Sequence, residues 1–87
     1  MENQWENRKR VFEFLGWSLE FKHVMDVLRS KYIAFVTRTF NLPDYHVDEK
    51  WLYNFASGVL NRPASQVTVE WIYQQFAQQA RHELIED

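Results

Sequence analysis

Phe21-Lys22-His23-Val24-Met25-Asp26-Val27-Leu28-Arg29-Ser30-Lys31-Tyr32-Ile33-Ala34-Phe35-Val36 is the stretch that decides the fold class. Phe21, Val24, Met25, Leu28, Tyr32, Phe35 and Val36 recur at helical intervals and fall on one stripe at 100° per residue, which is the pattern of a helix with one buried face. A helix of this length serves as the spine of a small domain. Ser18, just before it, is placed to cap its first free N–H groups. Working outward, the same helical spacing holds on both sides, and no segment keeps the strict alternation of a half-buried strand. Gly16 marks one break. Asn41-Leu42-Pro43-Asp44-Tyr45-His46-Val47 and Asn61-Arg62-Pro63-Ala64-Ser65-Gln66-Val67 mark two more. The expected architecture is all-α, a compact four-helix domain with helices near 3–15, 18–40, 48–60 and 68–85, filling residues 1–87 as a single helical domain. The second helix is expected to pack on the last two, and the first to close one side.

The two long breaks repeat each other at an interval of twenty residues. Asn41/Asn61, Pro43/Pro63, Val47/Val67, Trp51/Trp71 and Tyr53/Tyr73 are identical, and Asp48/Thr68, Leu52/Ile72 and Asn54/Gln74 match in kind. Asn tolerates the left-handed backbone that ends a helix, and Pro just beyond forbids continuation. Asp48 and Thr68 are then N-caps, with Val47 reaching over to Leu52 and Val67 to Ile72 as hydrophobic staples. The interval is too short for a solenoid repeat, so this is reused turn chemistry that predicts two similar helix starts.

Composition sets the class. The 87 residues are 46% hydrophobic and 25% charged, with two Gly, two Pro and no Cys. That excludes a disordered, collagen-like or linker sequence, a disulfide framework and a thiolate zinc site. No stretch approaches the ~18 uninterrupted apolar residues of a membrane span, and the first residues lack the apolar run of a signal peptide. The expectation is a soluble, cytoplasmic protein with no membrane role.

The formal charge is −2, but it is unevenly spread. Arg8, Lys9, Arg10, Lys22, Arg29, Lys31 and Arg38 dominate the first half, whereas Asp44, Asp48, Glu49, Glu70, Glu83, Glu86 and Asp87 dominate the second. Either the two halves neutralise each other in the fold, or one carries a binding surface. The basic set is the only available source of phosphate contacts. It supports an alternative reading as a small DNA-binding regulator, with residues 55–72 loosely of helix-turn-helix type. The connection there is too long for that motif, and its second helix is acidic, which repels phosphate.

Catalytic signatures are missing from the sequence. His23, His46 and His82 lack the i, i+4 spacing of a helical metal pair, and two glycines cannot build a phosphate loop. Asp44-Tyr45-His46-Val47-Asp48 is the densest polar cluster and reads as turn chemistry at a helix start. We expect no enzyme, no cofactor and no metal.

What stands out is the aromatic content. Four Trp, four Tyr and seven Phe exceed what so small a domain can bury, because it covers only about 60–65% of its unfolded surface. In the last helix Val69, Ile72, Tyr73, Phe76, Ala80 and Leu84 form the core stripe, which leaves Trp71 outward beside Gln74, Gln78, His82 and Ile85. In the first, Trp5, Phe12 and Leu15 point one way and Phe14 the other. Trp51 lies at the edge of the Leu52, Phe55, Ala56 and Val59 stripe. Large outward rings suit interface anchors, since they offer contact area at low entropic cost. The function expected is therefore non-enzymatic protein binding, as an adaptor, regulator or inhibitor, with Trp71, Gln74, Gln78 and Phe14 as contact residues. A homodimer would use the same surplus of rings.

Overall fold

The computed structural model describes residues 4–43 and 45–85, with the side chains of all of these except residues 4, 5, 7 and 64. It holds four helices, α1 (Gln4–Phe14), α2 (Phe21–Phe40), α3 (Glu49–Asn61) and α4 (Val69–Leu84), with a single 3₁₀ turn at Ala64–Gln66 before α4. There is no strand among the described residues, and the fold is the all-α four-helix arrangement expected. None of the helices is long and apolar enough to cross a membrane. The spine packs chiefly on α3 and also on α4, while α1 lies against the 3₁₀ turn and α4.

The stripe on α2 is real. Val24, Leu28, Tyr32 and Val36 are fully buried, with Phe21, Met25 and Phe35 half-buried against them. They meet Leu52, Phe55, Ala56 and Val59 of α3, Ile72, Phe76 and Ala80 of α4, Val67, and Leu15 from the end of α1.

The corner between α1 and α2 departs from expectation. α2 starts at Phe21 rather than Ser18, and Glu20 at its N-cap position makes no side-chain cap bond. Ser18 Oγ instead accepts the Glu20 N–H at 3.2 Å, a local turn that precedes the helix. The reason lies upstream, in how α1 ends. Gly16 has φ +79°, its N–H donates to the Glu13 carbonyl at 3.2 Å, and the Trp17 N–H donates to the Phe12 carbonyl at 2.7 Å. This pair of bonds is the Schellman motif, which satisfies carbonyls the helix end leaves open. Its usual apolar contact is present as well, with the Trp17 ring stacked on Phe12 at 6.3 Å. Trp17 itself has φ +63°. Two successive left-handed residues turn the chain so far that three more are needed before α2 begins.

His23 locks this corner. Its Nε2 lies 2.9 Å from the Leu15 carbonyl oxygen; a carbonyl only accepts, so that nitrogen carries the proton. A Cβ on Gly16 would lie 2.8 Å from the same nitrogen.

The repeated turns give similar helix starts and different helix ends. Asp48 accepts the N–H groups of Lys50 and Trp51, and Thr68 accepts that of Trp71. Val67 is buried with Ile72, and Val47 is half-buried with Leu52 inside the core. Asn41 adopts the left-handed conformation expected of it, at φ 56°. Asn61 does not. It stays within α3, whose end is closed by Arg62 in extended backbone with its N–H donated to the Gly58 carbonyl. Asp44, part of the first loop's polar cluster, lies outside the described residues.

Leu28→Ala should cost about 2–5 kcal/mol, as expected for a cavity at a fully buried site, read as a lowered midpoint of thermal or urea unfolding. Gly16→Ala should cost about 1–3 kcal/mol in the same measurement, from the left-handed backbone and the contact with His23 together. An unchanged midpoint for Gly16→Ala would mean that the corner does not close in this way.

Candidate interaction surface

Of the residues singled out from the sequence, Trp71, Gln74 and Gln78 share one face of α4 by helical position, and Phe14 lies away from it. Trp71 is half-buried rather than outward, because α3 leaves room for its ring to reach Phe55 at 5.7 Å, and the Arg62 guanidinium covers it at 4.7 Å. Tyr73, expected in the core stripe, is instead 41% exposed. Phe14 meets Tyr73 edge to face at 5.7 Å, with the Lys31 ammonium 4.4 Å above its ring. Residues 71 and 73 point about 200° apart on a helix, so Trp71 and Phe14 lie on different sides of α4. Gln74 and Gln78 are exposed. Trp51 stacks on Phe55 at 5.2 Å and contacts Tyr32 at 4.7 Å, so it belongs to the core's edge. The Trp5 side chain lies outside the described residues.

Among the described residues, the ring most open to solvent is one that the sequence did not single out. Trp17 is 62% exposed, and Leu19 beside it 48%. The signal was present, since Gly16 followed by an apolar residue, with Phe12 five positions back, is the pattern of the helix end described above. The left-handed backbone at residue 17 costs about 1–2 kcal/mol for a residue with a side chain. It holds the ring against Phe12 and away from the core.

Next to this ring the surface is concave. A cavity of about 200 Å³ is walled by Arg8, Val11, Phe12 and Leu15 of α1, by Leu19, and by Val59, Leu60, Arg62 and Val67 from the end of α3 and the following turn. An open cleft of about 360 Å³ adjoins it, between Arg8, Lys9, Phe12 and Trp17. The two share Arg8 and Phe12. On α1, Val11, Phe12 and Leu15 lie within about 60° of Arg8 around the axis, whereas Glu6 and Glu13 lie about 140–160° away. The concave side of α1 is therefore apolar with a cationic edge.

Elsewhere two arginines of the basic first half are taken up in ion pairs within the fold. Arg29 pairs with Glu49 at 2.6 Å and with Asp26 at 2.7 Å, and Arg10 pairs with Glu70 at 2.6 Å. These bonds hold the Glu49 and Glu70 carboxyls below the usual carboxylate range. Among the described residues Arg8 and Lys9 have no acidic partner, and Arg62 contacts Trp71 and the Gln66 side chain. Lys22 and Arg38 are exposed. No group of three His, Cys, Asp or Glu among the described residues stands close enough to hold a metal ion.

Near the end of α4, burial works against one acid. Glu83 is raised above the usual carboxylate range by desolvation, an effect partly offset by the Tyr32 hydroxyl nearby. Gln79 donates to its Oε1. The Tyr32 and Tyr45 hydroxyls are buried, and neither has a hydrogen-bond partner within good geometry among the described residues. Burial and the Glu83 charge both raise the Tyr32 phenol.

The chain matches no protein-family profile, no curated protein and no solved structure.

Opposite pH dependences follow for the two kinds of carboxylate. Glu49 and Glu70, lowered in the fold, contribute stability that is present above the unfolded pKa of about 4.3 and lost as pH falls through their folded values. Glu83, raised in the fold, contributes stability present below about 4.3 and lost as pH rises through its folded value. Glu83→Gln should therefore gain melting temperature relative to wild type at neutral pH, with the gain vanishing below about pH 4. Glu49→Gln should lose relative stability at neutral pH and converge with wild type in acid. Melting curves from pH 3 to 8 separate the two.

Proposed function

We propose that this chain is a non-enzymatic protein-binding module, an adaptor, regulator or inhibitor, that engages its partner through the α1 corner. The observation that carries the reading is Trp17. A large ring is kept exposed at an energetic cost in backbone conformation, next to an apolar cavity with a cationic edge. Rings of this kind are enriched among the residues that dominate binding energy, especially beside a pocket that a partner can fill. The surface first expected, around Trp71, Gln74, Gln78 and Phe14, is a weaker candidate, because its two rings are half-buried whereas Trp17 is mostly open to solvent. A chain without cysteine requires no oxidising compartment, which fits a cytoplasmic setting.

Trp17→Gly is the informative variant. Glycine relieves the left-handed strain, worth about 1–2 kcal/mol, while losing a ring contact worth about 0.5–1.5 kcal/mol, so stability should stay within about 1 kcal/mol of wild type. Immobilised wild-type protein should retain a protein from nuclease-treated lysate of the source cells, and the Trp17→Gly protein should not. Equal retention by both would move the contact elsewhere. Loss of all retention on nuclease treatment would favour nucleic acid. Sedimentation at rising concentration distinguishes a second copy of the chain from a foreign partner.

A further inference from the structure

We infer that the partner presents an acidic segment that seats one large apolar side chain in the cavity between α1 and the end of α3, while its carboxylates meet Arg8, Lys9 and Arg62. The inference rests on the reading of the α1 corner as the binding surface, and it names the chemistry that corner accepts.

Size narrows the occupant. The cavity, at about 200 Å³, has room for a single large side chain, and the adjoining cleft of about 360 Å³ has room for the residues next to it. Its walls are aliphatic at Val11, Leu15, Val59 and Leu60, so that side chain is apolar. Charge narrows it further. The titratable residues on the walls of both the cavity and the cleft are Arg8, Lys9 and Arg62, all cationic. A neutral apolar segment would leave Arg8 and Lys9 desolvated with no acidic group to meet them, and a basic one would be repelled; an acidic one satisfies them, and the guanidinium of Arg8 in the directional way such groups favour. The cleft then places the segment's next residues against the exposed face of Trp17, whose other face rests on Phe12.

A single-stranded nucleic acid is the competing occupant, because a ring beside two cations is also a base-stacking platform. The aliphatic walls at Val11, Leu15, Val59 and Leu60 argue against it, and the ion pairs of Arg10 and Arg29 take two arginines away from any track for a phosphate chain.

The test uses the full chain, isotopically labelled, and three probes titrated to millimolar concentration. These are a short peptide of Asp, Glu and Leu with one central Phe, the same peptide with Lys replacing its acids, and a short oligothymidylate. The acidic peptide should shift the resonances of Arg8, Trp17, Leu60 and Val67, and bind at least tenfold more tightly than the lysine peptide. Arg8→Glu/Lys9→Glu, both exposed positions, should weaken it at least tenfold with an unchanged melting temperature. Added salt should weaken it too. No shifts at the corner, equal binding of the two peptides, or tighter binding of the oligothymidylate would each overturn the inference. If the acidic peptide fails while Trp17-dependent capture of a protein persists, the corner is a binding surface for a partner of other chemistry. If capture fails as well, the function proposed above falls with it.

Discussion

The fold depends on a set of interlocked aromatic rings where α2, α3 and α4 converge. Phe76 is fully buried and contacts Tyr32 at 5.4 Å, Tyr73 at 5.5 Å, Phe55 at 5.9 Å and Phe35 at 6.0 Å. The backbones of α3 and α4 do not approach closely, so rings fill the gap that smaller side chains would close by bringing helices together. Phe55 supplies the bridge, with Trp51 on one side and Trp71 on the other. Edge-to-face and tilted contacts of this kind add about 0.5–1.5 kcal/mol each beyond burial. The arrangement has a cost: the Tyr32 hydroxyl is buried with no well-formed hydrogen bond among the described residues, and Glu83 is drawn into a partly desolvated position near it.

This ring-filled gap also explains what the sequence could and could not reveal. Counting at 100° per residue places Leu28, Ile72, Phe76 and Ala80 inside, because such positions are decided by helix geometry alone. It fails for Trp71 and Tyr73, near the stripe's two edges, where the outcome depends on what faces them. The space beside α3 admits the larger indole, and the tyrosine, with a polar tip to keep wet, takes the exposed side. The surplus of rings expected from composition is thus mostly absorbed by the core. Tyr53 and Tyr73, equivalent in the twenty-residue match, are both exposed, and Trp51 and Trp71 are both half-buried on Phe55. Similar caps open both helices, and the side chains that follow are sorted alike between core and solvent.

The helix ends were less legible, since an end depends on what the chain does next. Asn41 closes α2 in the left-handed region and lets Thr37 Oγ1 donate to the Leu42 carbonyl. Asn61, followed by the same proline two residues on, remains helical, and the 3₁₀ turn at Ala64–Gln66 takes up the difference. The α1 corner shows the same dependence. Ser18 has the composition of a cap, but Gly16 and Trp17 turn the chain first.

The charge asymmetry is reduced by two ion pairs across helices. Arg29 ties α2 to Glu49 at the start of α3, and Arg10 ties α1 to Glu70 at the start of α4. Both acids sit in a first helical turn, where the helix dipole favours them as well. These ties are exposed and individually weak. Their larger effect is subtraction, because they remove two arginines from the apparent basic surface. Arg8, Lys9 and Arg62 are left around an apolar hollow beside the exposed Trp17. A net charge of −2 therefore conceals a small cationic site, and local compensation, more than the overall balance, determines what that surface attracts.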